Sequence, residues 1–170
     1  MRYLSFGSVQ TPCTAISARL LEIARAFNRM SPRPRRSILF VSTTAEEKGM
    51  LGSDYFAHYP TVPRSSIVAD VDIDGEPLLW PMEDVILYGA GHSTLDVSAN
   101  EAAARMGIDV TPDPWPEQGE FVRQDGYSFV RRGIPTLEPT RESNLAIQKS
   151  TRERYQSGGA TTSTTRQKKP

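Results

Sequence analysis

The segment SILFVSTTAEEKGMLGS, residues 37–53, joins an apolar run to two adjacent acids. The run Ile38 to Val41 contains no polar residue, as is typical of a strand that is covered on both faces in a parallel sheet. Glu46 and Glu47 follow this strand within a few residues. Because ligands of open α/β sheets bind beyond the carboxyl ends of the strands, the segment predicts a functional site at this point.

Helical and strand patterns alternate on both sides of this segment. Apolar residues recur at steps of three and four over 16–30, which predicts an amphipathic helix. Further helices are predicted over 48–58, from 93 or 94 to 106 and over 127–133, and further strands over 67–75, 83–88 and 134–137. Residues 109–116 hold three prolines and are predicted to form a loop that exposes Trp115. This alternation predicts an α/β, three-layer domain with a mainly parallel central sheet flanked by helices.

Asp70, Asp72 and Asp74 alternate with apolar residues in the strand predicted over 67–75. The alternation places the three acids on one face, where they repel each other unless water or a cation neutralises them. We interpret Asp70 and Asp72 as a polar strand edge, because their distance from the strand end separates them from Asp74.

Composition excludes several classes of partner. The 170 residues carry no formal net charge, which argues against a nucleic-acid partner or an anionic membrane surface. No run approaches the roughly 20 apolar residues of a membrane-spanning helix, and no secretory signal pattern is recognised at the N-terminus. A cytoplasmic location is therefore the default expectation. The single cysteine, Cys13, excludes an internal disulfide.

The run from Glu46 to Ser53, followed by Tyr55-Phe56-Ala57, resembles the signature of zinc-dependent aminopeptidases of the co-catalytic, two-metal family. This family includes glutamate carboxypeptidase-like and transferrin-receptor-like domains. Four other stretches are similar to it, namely 20–27, 36–40, 67–74 and 123–135. The resemblance divides the chain into a divergent N-terminal segment (1–15), a partial zinc-aminopeptidase-like domain (16–139) and a polar tail (140–170) that is expected to be disordered.

The resemblance implies a metal-dependent exopeptidase that hydrolyses N-terminal peptide bonds, with a peptide as its substrate. It makes Glu46 the general base, Glu47 a ligand of one zinc ion and Asp74 a ligand of a second. Zinc would activate water for attack on the peptide carbonyl, and the base would remove the proton of that water. Asp125 corresponds to a family residue that supports the site.

Other ligands of the family pattern are absent from this sequence. The metal-bridging aspartate position falls near Pro12, and no histidine follows Pro139. Of the two histidines, His58 is expected to have a surface role, and His92 a structural or helix-capping role. Since catalytic zinc sites usually have three protein ligands, zinc binding is expected to be weak or absent.

Two alternatives to an active exopeptidase stay open. One is a non-catalytic pseudoenzyme or interaction remnant of the same fold. The other is a chain that does not fold stably alone, because elements missing from its ends leave apolar faces uncovered. The sequence leaves the preferred substrate side chain and the oligomeric state open.

Overall fold

The computed structural model describes residues 3–7, 14–74 and 84–140. Within these ranges six strands form one sheet, with the order β2-β1-β3-β6-β4-β5. The strands are β1 (Tyr3–Gly7), β2 (Ser37–Val41), β3 (Ile67–Asp72), β4 (Asp84–Tyr88), β5 (Asp109–Thr111) and β6 (Thr136–Thr140). The helices are α1 (Thr14–Arg29), α2 (Leu51–His58), α3 (Leu95–Met106) and α4 (Tyr127–Val130).

Neighbouring strands in the sheet are parallel except for β4 and β6, which are antiparallel. Helices cover both faces. On one face Ala103 of α3 packs with Leu137 of β6 and with apolar residues of β4. On the other, Phe129 of α4 clusters with Ala57 of α2. The prediction of a layered α/β domain with a mainly parallel sheet is therefore confirmed.

Strand β1 lies between β2 and β3 and pairs with both of them. It falls in the segment 1–15, to which the sequence analysis assigned no strand. Its five residues are too short a stretch to stand out from their neighbours by periodicity. The residues that follow, 8–13, lie outside the described part of the chain, as does the predicted tail from residue 141 onward.

Three local predictions were wrong. The helix predicted over 48–58 begins only at Leu51, because Gly49 and Met50 have φ angles of 97° and 57°, which interrupt a right-handed helix. Part of the proline-rich segment predicted as a loop forms β5, which pairs with β4. Trp115 is half-buried against Ile86 and Tyr88 and is not exposed.

The interpretation of Asp70 and Asp72 as a polar strand edge was also wrong. Strand β3 is the third of six, with β1 and β6 on its two sides. Each aspartate is 1% exposed. A strand inside a sheet is covered by helices on its faces, so these acids lie in the interior and not at a solvated edge.

Within the described ranges, no helix combines the length and the apolar character that crossing a lipid bilayer requires.

Candidate active site

The loop between β2 and α2 is held by a compact set of backbone hydrogen bonds. The Glu46 carbonyl oxygen accepts from Gly49 N at 2.8 Å and from Met50 N at 2.7 Å. Gly52 N donates to the Thr44 oxygen at 3.0 Å. A Cβ atom at Gly52 would lie 2.3 Å from that oxygen, so only glycine allows this approach. Glu46 therefore occupies a fixed position at the start of a 3-10 turn, Glu46–Lys48.

Two residues of this loop have strained backbone conformations. Ala45, directly before Glu46, has φ 61° and ψ 36°, and Met50 has φ 57° and ψ 36°. Left-handed conformations of residues other than glycine cost free energy and often occur at functional sites. The strain at Ala45 turns the chain immediately before the candidate base.

Glu46 lies in a partly desolvated and negative environment. Its Oε2 atom is buried and accepts no hydrogen bond from the described residues. Burial, followed by the charge of Asp125, then those of Asp74 and Glu47, raises the pKa of Glu46 from 4.5 to about 7. The charge of Arg123 opposes this shift with a smaller effect. A carboxylate with this pKa is suited to exchange a proton near neutral pH.

Asp125 is buried and held by two hydroxyl groups. Ser53 Oγ donates to Asp125 Oδ1 at 2.6 Å, and Thr43 Oγ1 donates to Asp125 Oδ2 at 2.8 Å. Ser53 is fully buried at the start of α2, whereas Thr43 follows β2. The two hydroxyl donors fix the orientation of the Asp125 carboxylate, whose charge acts on Glu46.

A second pair of acids lies under α4, on the sheet face that this helix covers. Asp70 of β3 pairs in register with Thr136 of β6, so the next inward-facing residues along the two strands are Asp72 and Glu138. Asp72 Oδ2 accepts a hydrogen bond of 2.7 Å from Gly126 N, at the start of α4. Asp72 Oδ1 and Glu138 Oε2 are buried, and neither forms a hydrogen bond within the described part of the chain.

Both acids of this pair favour the protonated form. Burial, and then the charge of Glu138, raises the pKa of Asp72 well above its ordinary range. Burial, and then the charge of Asp74, raises the pKa of Glu138 from 4.5 to about 8. Sequence reasoning missed Glu138. The available signal was its position directly after the strand predicted over 134–137, at the carboxyl end of a strand.

The other residues predicted from the sequence are the two proposed zinc ligands and the two histidines. Glu47 is exposed and Asp74 is half-buried, and both act on the pKa of Glu46. His58 is exposed at the end of α2, where Arg132 contacts its Nδ1 atom at 3.1 Å. His92 is exposed too and stacks on Phe121, with 5.6 Å between the ring centroids.

The described residues do not form a zinc site. A catalytic zinc ion is usually held by three protein ligands, which often include histidine. Over residues 3–7, 14–74 and 84–140, no group of three or more His, Cys, Asp or Glu side chains is arranged to hold an ion. Glu46 and the carboxylates around it make the site negative. Among the described residues, however, Glu47 and Asp74 do not form a metal-binding group with a third ligand.

Solved structures of several enzymes share this fold. The LapA aminopeptidase of Legionella pneumophila superposes with a TM-score of 0.59 at 18% identity, over 83% of this chain and 41% of that one. A peptidase M28 precursor from Shewanella amazonensis superposes with a TM-score of 0.51 at 17% identity, over 81% of this chain and 32% of that one. The glutaminyl cyclase of Porphyromonas gingivalis superposes with a TM-score of 0.55 at 20% identity, over 82% of this chain and 56% of that one. The chain thus spans about a third to under two thirds of the length of these proteins.

A match at the level of sequence agrees with these superpositions. No curated protein matches the chain. Residues 13–168, however, match peptidase family M28. This range covers most of the chain and includes both Glu46 and the buried acids of β3 and β6. On this ground the chain belongs to peptidase family M28.

Proposed function

We propose that this chain is an aminopeptidase-type domain that hydrolyses N-terminal peptide bonds, with Glu46 as its general base. The observation that carries the proposal is the position of Glu46 just beyond the carboxyl end of β2, where burial and then the charge of Asp125 raise its pKa to about 7. An efficient general base has a pKa near the pH at which it operates. Glu46 can therefore accept a proton near neutral pH and also return it.

In this proposal Glu46 removes a proton from the water molecule that attacks the peptide carbonyl. The new C–O bond forms, the C–N bond breaks, and the proton held by Glu46 passes to the departing amine. Partial burial of Glu46 keeps competing bulk water away from its Oε2 atom. The fixed backbone around Glu46, tied at Thr44 and Met50, holds the carboxylate in one place for both transfers.

The charges of the site favour an amino terminus over a carboxyl terminus. Glu47, Asp74 and Asp125 surround Glu46 closely enough to raise its pKa, which means that the potential there is negative. The end of a peptide that carries a positive charge is its N-terminus. We therefore propose cleavage from the N-terminal end.

Hydrolysis of aminoacyl p-nitroanilides tests this proposal. We expect release of nitroaniline by the chain, and a loss of about 100-fold or more in kcat in Glu46→Gln. Glu117→Gln, an exposed acid on a 3-10 turn, is the matched control and should retain the wild-type rate. Equal rates for Glu46→Gln and the wild type would contradict the assigned base.

Zinc dependence is a separate part of the proposal, suggested by the family resemblance. The assay is run on the metal-free chain, with added Zn²⁺ and after chelation. Activity that needs Zn²⁺ would support zinc as the cofactor, although the described donors do not complete a site for it. Activity that is unchanged by Zn²⁺ and by chelators would overturn this part alone.

A second candidate is cyclisation of an N-terminal glutamine, because a glutaminyl cyclase superposes on the chain over 82% of its length. In that reaction the same base would pass a proton from the α-amino group to the departing ammonia. Ammonia release from a peptide that begins with glutamine, without release of free glutamine, would favour cyclisation. Release of free glutamine would favour the aminopeptidase.

A third candidate is a non-catalytic domain of this fold, favoured by the lack of a three-donor metal group among the described side chains. It predicts less than one tightly bound zinc ion per chain by elemental analysis and no hydrolysis of either substrate. Two zinc ions per chain after extensive dialysis would exclude it.

A further inference from the structure

A cavity of about 540 Å³ lies at the end of β4. Its size is within the range of roughly 300–1,000 Å³ that is usual for small-molecule sites. Tyr88, His92 and Phe121 supply aromatic walls, and Asp113 and Glu120 supply its acidic groups. The described lining contains neither lysine nor arginine.

The cavity borders the site through Phe121. The Phe121 ring meets Tyr127 edge to face, with centroids 6.1 Å apart, and Tyr127 lies two residues after Asp125. A Cβ atom at Gly89 would lie 2.7 Å from the Phe121 ring and 2.6 Å from the Thr136 oxygen. The end of β4, the start of β6 and the aromatic wall of the cavity are therefore in direct contact.

The potential in the cavity is negative. Burial, then the charges of Asp113 and Glu120, raises the pKa of Tyr88 to about 12. Asp113 Oδ1 accepts a hydrogen bond of 2.8 Å from Trp115 N, which fixes the carboxylate. Glu120 pairs with Arg123 at 2.9 Å, but the Arg123 side chain is 66% exposed, and water and salt screen its charge. A positive group that enters the cavity gains both attraction to the acids and contact with the ring faces.

Thr111 contributes a buried polar atom to the wall of the cavity. Thr111 Oγ1 is buried and forms no hydrogen bond with any described residue. Thr111 belongs to β5 and lines the cavity. A buried hydroxyl without a partner costs free energy, so this part of the wall is less stable than one whose polar atoms are all paired.

We infer that this cavity receives the basic side chain of the substrate's N-terminal residue, so that the chain acts on peptides that begin with arginine or lysine. The inference rests on the proposed function. The aliphatic stem of such a side chain packs on Phe121 and Tyr88, while its cationic head lies near Asp113 and Glu120. The parallel stack of His92 on Phe121, with 8° between the planes, presents a flat surface that suits a guanidinium group.

The test is a binding measurement that does not depend on catalysis. Calorimetry compares L-argininamide with L-citrullinamide, and L-lysinamide with L-norleucinamide, on the full chain carrying Glu46→Gln. The members of each pair are similar in size, and only one carries the side-chain charge. We expect the charged member to bind about tenfold more tightly. Equal affinities within both pairs would overturn the inference.

Isosteric variants locate the preference. Asp113→Asn and Glu120→Gln keep their hydrogen-bond acceptors for Trp115 N and Arg123 but lose the charge, and each should lower the affinity ratio several-fold. Asp109→Asn, an exposed acid on β5, is the matched control and should keep the full ratio. Thermal unfolding by circular dichroism checks that each variant folds. If Asp113→Asn does not fold, the comparison within the two ligand pairs still decides the question.

The two proposals fail in different ways. Preferential binding of argininamide together with no hydrolysis would support the assigned ligand and contradict the peptidase. Hydrolysis of leucyl and arginyl nitroanilides with equal kcat/KM would support the peptidase and overturn the pocket assignment.

Discussion

Ser53 Oγ donates a hydrogen bond of 2.6 Å to Asp125 Oδ1 across 72 positions of sequence. The same oxygen atom lies 3.1 Å from Ser128 Oγ and 3.1 Å from the Met50 carbonyl oxygen. One buried serine thus links the strained loop that carries Glu46 to the start of α4. The charge that most affects Glu46 after burial, that of Asp125, is positioned by this link.

Replacing this serine should destabilise the protein. Ser53→Ala removes a donor to a buried carboxylate, and the loss of a buried hydrogen bond to a charged group costs about 1–3 kcal/mol. The free energy of unfolding from urea titration measures the effect. Ser65→Ala is the control, because Ser65 is exposed and should change stability by less than about 0.5 kcal/mol. If Ser53→Ala changed the free energy of unfolding as little as Ser65→Ala, the role of this hydrogen bond would be contradicted.

The pKa of Glu46 should fall when the charge of Asp125 is removed. Burial is the largest cause of the raised pKa and Asp125 is the second, so Asp125→Asn should shift the value from about 7 toward 4.5 without reaching it. An NMR titration that follows the Glu46 carboxyl carbon reports this directly. Glu101→Gln, an exposed acid on α3, should leave the Glu46 pKa unchanged. An Asp125→Asn value still near 7 would mean that burial alone sets it.

Stability should decrease as pH rises toward 8 because of Glu138, whose pKa is raised from 4.5 to about 8 by burial and then by Asp74. Below pH 4.5 the carboxyl is protonated in both states. Between these values the unfolded chain loses the proton that the folded chain keeps, so the unfolded state gains stability. Above pH 8 both states are ionised and the loss is complete. Since each pKa unit corresponds to about 1.4 kcal/mol, the total loss amounts to several kcal/mol.

Glu138→Gln isolates this contribution. Its amide oxygen can still accept from Thr140 Oγ1, the partner of Glu138 Oε1, but it does not ionise. The variant should therefore have a flatter dependence of the free energy of unfolding on pH, and a higher stability than the wild type at pH 9. A slope identical to that of the wild type between pH 5 and 8 would contradict the raised pKa.

Local patterns predicted the parts of the site that depend on neighbouring residues. The apolar run Ile38 to Val41 was recognised as a strand, and Glu46 follows it at the carboxyl end of the sheet, as predicted. The helix on each side of this strand was recognised by its periodicity, although α2 starts later than predicted. These features depend on spacing within about 20 residues, which a single sequence displays directly.

Contacts between distant segments could not be predicted in this way. Asp72 and Glu138 face each other only because β3 pairs with β6, a relationship set by the order of strands in the sheet. Alternation correctly put the acids of β3 on one face, but it contains no information on whether that face is covered. The roles of Glu46 as base, and of Glu47 and Asp74 as zinc ligands, stay predictions for the experiments above.

The close approach of α2 to the end of β2 gives a final prediction about Gly52. A Cβ atom there would lie 2.3 Å from the Thr44 oxygen and 2.6 Å from its nitrogen, both rigid backbone atoms. Gly52→Ala must therefore displace the loop that carries Glu46, and we expect a loss of about 1–3 kcal/mol in the free energy of unfolding. Gly49→Ala is the matched control, because its Cβ would meet nothing within 4 Å although its φ is 97°. That variant should lose about 1 kcal/mol from backbone strain alone. Chemical denaturation of both variants measures the difference, and a smaller loss for Gly52→Ala than for Gly49→Ala would show that the loop yields easily at Thr44.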